Sequence, residues 1–103
     1  MAIFRFRLAT LLNVKEQLEK SAKNELGLAV VKLEEERRLL AVLDQELASI
    51  GEELSAAVTG PIDPERIRGL KAFLGARRVV REKQQDAVKE AARTVDTIRD
   101  RVV

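Results

Sequence analysis

Carboxylates are the side chains of this sequence best suited by type to do chemistry. Glu34-Glu35-Glu36 and Glu52-Glu53 stand in runs, and paired carboxylates act as general acid and base where their surroundings drive their pKa values apart. Their neighbours argue against that use. Lysines and arginines are interspersed with these acids at helix-surface spacing, the pattern of a solvated face. The chain has no histidine and no cysteine, which excludes imidazole and thiol catalysis, the usual zinc sites and iron–sulfur clusters. Thr59-Gly60-Pro61 lacks the Lys and Ser/Thr pattern of a phosphate loop. Arg77, Arg78, Arg81 and Lys83 form a basic stretch, but Glu82 and Asp86 interrupt it and no aromatics are interleaved for base stacking. No catalytic, cofactor-binding or metal site, no cofactor and no nucleic acid are therefore expected, and the chain reads as something other than an enzyme.

The composition points instead to long helices. Charged residues make up 35% of the 103 positions and aromatics 3%, with five glycines and two prolines, a profile typical of coiled coils. The 46% hydrophobic content is too high for simple disorder. The length allows a single domain, residues 1–103. No apolar run approaches the roughly 20 residues of a membrane span, and the first residues lack a signal-peptide core, so a soluble cytoplasmic protein is expected. The net charge is only +2, but it is unevenly spread. Residues 1–58 carry eight Lys/Arg against ten Asp/Glu, and residues 59–103 carry eleven against seven.

Strong punctuation occurs once, at Thr59-Gly60-Pro61-Ile62-Asp63-Pro64. Asp63 suits an N-cap, Pro64 the first helical position and Glu65 the positive end of a helix dipole. The expected elements are helix 1 over about residues 5–57, a turn at 58–63 and helix 2 over about 64–102. Helix 1 repeats every seven residues: Leu26, Leu33, Leu40, Leu47 and Leu54 interleave with Ala22, Ala29, Glu36, Leu43, Ile50 and Ala57. This is the a/d seam of a left-handed coiled coil. The four–four step from Leu18 through Ala22 to Leu26 is a stutter. On helix 2 the seam runs Ile67, Leu70, Leu74, then Val88, Ala91, Val95, Ile98 and Val102, and its middle falls on Arg77, Arg81 and Gln84. The arginine stems are expected to lie over the partner helix, with Val80 and Ala87 beside them sharing the packing. The alternative is a weakened stretch that opens to admit a partner.

A short link between two apolar-striped helices makes them antiparallel neighbours. The expected fold class is all-α, an antiparallel two-helix coiled coil or helical hairpin. Residue i of helix 1 then faces about residue 122 − i of helix 2. Val103 falls near Glu19, and the first eighteen residues project beyond helix 2 by on the order of 27 Å. This overhang holds Phe4, Phe6, Leu8, Leu11, Leu12, Val14 and Leu18, and an unpaired apolar segment of this kind marks a partner surface. Phe4 and Phe6 are two apart, which on a helix puts them on divergent faces; a short extended start fits the same residues equally well.

The opening Phe4-Arg5-Phe6-Arg7-Leu8-x-x-Leu11-Leu12-x-x-Lys15-Glu16 resembles the start of the FliJ family of flagellar export proteins. The likeness continues through Glu19-x-x-Ala22-x-x-Glu25-Leu26-x-x-Ala29 and through Ile67-x-x-Leu70-x-x-Phe73-Leu74, followed by Gln84-Gln85. It implies a cytoplasmic antiparallel coiled coil, peripheral at the inner membrane, in the flagellar type III export apparatus. Such a rod resembles the central stalk of rotary ATP synthases. The implied partners are a hexameric export ATPase, an export gate membrane protein and export chaperones. Phe4, Arg5, Phe6, Arg7, Leu8 and Leu11 correspond to an ATPase-facing element, and Phe73 and Leu74 to a gate or chaperone surface. Two features depart from the family pattern. Its members usually extend helix 2 beyond this chain's position 103, along residues 1–18, and they more often hold an apolar residue at the level of Arg77 and Arg78. A generic self-associating scaffold, two hairpins joined as a four-helix bundle, is the competing reading.

Overall fold

The computed structural model describes residues 2–102 as two α-helices, α1 (Ala2–Ala57) and α2 (Pro64–Val102), folded back on each other as an antiparallel hairpin measuring 92 × 16 × 14 Å. Helix α1 begins at Ala2, so the opening Phe-Arg-Phe-Arg run is helical and the extended alternative is set aside. Met1, Val103 and the side chain of Val102 lie outside the described residues.

The link between the helices is built from local hydrogen bonds. The Thr59 amide and hydroxyl both donate to the Ala56 carbonyl, at 3.3 and 3.0 Å, and close α1. Asp63 caps α2: its Oδ1 accepts from the Glu65 amide at 3.1 Å, and its carbonyl accepts the first intrahelical bond from the Ile67 amide at 3.2 Å. Pro64 occupies a position where the missing N–H costs nothing. Replacing Asp63 with alanine is expected to lower stability by about 1 kcal/mol, the usual cost of a lost N-cap. Chemical denaturation followed by circular dichroism measures it.

Heptad spacing places the leucine stripe of α1 against α2. The buried residues are Leu33 and Ile50 on α1 and Ala91, Val95 and Ile98 on α2. Leu33, Ala91 and Val95 form the centre, flanked by Leu26, Ala29, Val30, Val88 and Ala92. The best-packed part of the seam is therefore its open-end half. Toward the turn, Leu43, Leu47 and Leu54 on α1 and Ile67, Leu70 and Leu74 on α2 are partly buried.

The middle of the seam is polar. Arg77 Nε lies 3.1 Å from Glu46 Oε2, Arg81 Nε donates to Asp44 Oδ1, and Gln84 Nε2 donates to both the Glu36 carbonyl (2.9 Å) and the Glu36 carboxylate. The arginine stems cross the seam as expected, but their heads end on acids of α1. The Arg77 and Glu46 atoms that face each other are shielded from water and are not aligned as a hydrogen bond; their contact is coulombic. Asp44, first through its hydrogen bond and then through its charge, raises the pKa of Arg81 above the usual guanidinium value. Arg81 stays charged under any ordinary condition. Val80 does not share the packing: it is 41% exposed, because it lies on the flank beside Arg77 and Arg81, and the seam room goes to their stems. Ala87 is partly buried. All three cross-helix polar pairs fall within three positions of the facing rule that the turn implies.

Candidate functional site

The open end of the hairpin is where α1 outruns α2. Arg101, in the last turn of α2, borders a shallow depression with Leu18, Glu19, Ala22 and Lys23. Ala22 is the first α1 residue that is not fully exposed, and every described residue before it is exposed. The stutter at Leu18–Ala22–Leu26 lies level with Arg101, in the last described turn of α2.

The overhang is a helix whose large apolar side chains share one half of its circumference, with Arg5, Thr10, Asn13, Glu16, Gln17 and Lys20 on the other. Phe4, Leu8, Leu11 and Leu18 follow one stripe at steps of four, three and seven, Ile3, Leu12 and Val14 flank it, and Phe6 lies on the polar half. Phe4 and Phe6 are 70% and 76% exposed and Leu11 is 67% exposed. An exposed apolar face of this width is the kind of surface that a partner covers. Its charges fit the same use. The first turn of α1 holds no acidic residue, and Arg5 and Arg7 crowd the positive end of the helix dipole. That arrangement works against the isolated helix and favours an acidic surface around it.

The two residues singled out on α2 behave differently. Phe73 is half exposed, and the Arg77 guanidinium stands over its ring with Cζ 5.7 Å from the centroid. Leu74 is partly buried in the seam. The overhang and Phe73 lie far apart along the rod: Phe73 borders a groove with Glu46, Ser49 and Glu53, near the turn. Sequence reasoning missed the residues that make the edges of the rod unequal, among them Leu28, Leu39 and Val42, which α1 exposes outside its seam. Their signal was present as a second apolar spacing of three and eleven residues on the same helix.

Nothing among the described residues suggests a reaction centre. The depressions along the rod are open grooves between the helices, no group of three or more acidic residues converges as a metal cage, and no helix is long and apolar enough to cross a membrane. A family model described as flagellar FliJ protein matches residues 4–103. The chain belongs to the FliJ family. The match takes in the overhang, both seams and the turn, and the hairpin agrees with the coiled-coil form that the FliJ resemblance implied. As a FliJ-family member the chain is a component of flagellar protein export. No curated protein and no solved structure matches it.

Proposed function

We propose that the chain is a non-catalytic, stalk-like rod of the flagellar export apparatus whose overhang engages the hexameric export ATPase. The observation that carries this reading is the exposed helix over residues 2–20, with a broad apolar face, Phe6 outside that face, and Arg5 and Arg7 near its tip. A ring with an acidic, partly apolar lumen is the kind of partner that can cover the apolar face and pair with the arginines. Phe4, Arg5, Phe6, Arg7, Leu8 and Leu11 are the contact residues: the phenylalanines and leucines enter apolar pockets and the arginines pair with carboxylates, a division of labour common at binding hot spots. The turn half of the rod, still paired, holds the far end away from the ring and presents Phe73 to the export gate or to a chaperone, with Leu74 supporting it from the seam. The protein acts in the cytoplasm and reaches the membrane only through its partners.

Pull-down with the cognate ATPase and measurement of its ATP turnover test this. The full chain is expected to bind and to stimulate turnover. Removal of residues 2–18 is expected to abolish both while leaving the paired helices intact by circular dichroism, since none of those residues packs on α2 within the chain. Unchanged binding after the deletion would sink the assignment of the overhang.

A further inference from the structure

The two edges of the hairpin differ. One groove between the helices is lined by Lys32, Glu36, Ala87, Glu90 and Thr94, and further along the same side by Glu46, Ser49 and Phe73. Leu39 is seven residues from both Lys32 and Glu46, and Val80 is seven from both Phe73 and Ala87, so both lie on this side. Val42 is seven from Ser49 and joins them. Leu39, Val42 and Val80 are all exposed, and they sit level with the polar stretch of the seam. The opposite side at that level carries Arg37, Asp44, Arg78, Glu82 and Gln85. Where the seam turns polar, the apolar residues have moved to one broad face.

That face also has a charge pattern. On α1 it carries Glu25, Glu35, Glu46 and Glu53 against Lys32; on α2 it carries Arg66, Lys83 and Arg101 against Glu90. Among the described residues Glu25, Lys32, Glu35, Glu53, Arg66 and Lys83 form no ion pair within the chain. We infer that this face binds a second copy of the chain, with both turns at the same end, so that α1 of each copy lies over α2 of the other. The same facing rule then applies between copies. Val42 meets Val80 of the second copy, Lys32 meets Glu90, Glu35 meets Lys83 and Glu53 meets Arg66. The reverse arrangement, with turns at opposite ends, lays α1 on α1 and acid on acid, which costs several kcal/mol in a desolvated interface. Among the described residues a single hairpin buries five side chains; a second copy converts an exposed face into the interior of a four-helix bundle.

This dimer goes beyond the export reading and is tested without the ATPase, so the two can fail separately.

Sedimentation equilibrium of the full chain from low to high micromolar concentration is expected to show a reversible dimer. Glu35→Lys is expected to weaken the dimer about tenfold through two symmetric contacts, and adding Lys83→Glu to restore it. Leu39→Asp is expected to abolish it with helicity unchanged, because Leu39 is exposed in the single hairpin. A monomer at every concentration overturns the proposal. So does a dimer that resists Leu39→Asp.

Discussion

Val95→Asp is expected to unfold most of the hairpin at room temperature. Val95 is the least exposed of the described core residues, at 4%, and it packs with Leu33 and Ala91 at the centre of the buried cluster. A carboxylate at that point loses its hydration and finds no cationic partner among Leu26, Ala29, Val30, Leu33 and Val88. The change combines a lost apolar contact with an unpaired buried charge, together worth about 3–5 kcal/mol. A domain of this size has only on the order of 5 kcal/mol to lose. In thermal unfolding the midpoint should fall by roughly 15 °C or more, with much of the far-ultraviolet helical signal gone at the start. Val79→Asp is the matched control. Val79 is exposed on the outer side of α2, and the same chemical change there should stay within about 0.5 kcal/mol. If the two variants melt together, the packing at Leu33 does not hold the rod.

The contrast between those two valines also explains what was readable in advance. Val95 lies on the three–four spacing that continues from Val88 and Ala91, and an apolar residue in register with a seam has one place to go. The leucines of α1, the Asp63 cap and the antiparallel pairing follow from the same local rules: a period of seven, a Gly-Pro break and a side chain that binds its own backbone. Val80 illustrates the limit. Periodicity says that it neighbours the seam at Arg77 and Arg81, but not whether the helix rotates to bury it or lets the arginine stems lie across instead. That choice depends on Asp44 and Glu46 being within reach on the other helix, a long-range fact that no local pattern contains. The overhang was legible from counting residues on either side of the turn. The broad face with Leu39 and Val42 is not legible in the sequence, because a spacing that serves no intrachain contact looks like scatter until the partner helix defines which side is which.

Glu36→Leu combined with Gln84→Leu is expected to raise stability and to lower specificity. Gln84 donates both to the Glu36 backbone carbonyl and to its carboxylate, so the pair is internally satisfied, half-buried and placed at two seam positions where the rest of α1 uses leucine and alanine. Satisfied polar pairs of this kind are commonly less stabilising than apolar residues of similar volume, by about 1–3 kcal/mol. Gln84→Leu alone should do the reverse. It removes the donor and strands the Glu36 carboxylate against an apolar neighbour, at a cost of about 1–3 kcal/mol. The expected order of melting temperatures is therefore double variant, native chain, then Gln84→Leu, and this order distinguishes a pair that merely fills the seam from one that stabilises it. The compensating loss is in register. With leucine at both positions a slip of seven residues no longer breaks a Gln84–Glu36 contact, and of the three cross-helix polar pairs only Arg77–Glu46 and Arg81–Asp44 oppose it. Sedimentation of the double variant should reveal species beyond those of the native chain, and amide exchange should show more than one protected population. If the double variant is both more stable and a single species, register is held by the turn and the Arg77–Glu46 and Arg81–Asp44 pairs alone, and the Gln84–Glu36 contact has no part in it.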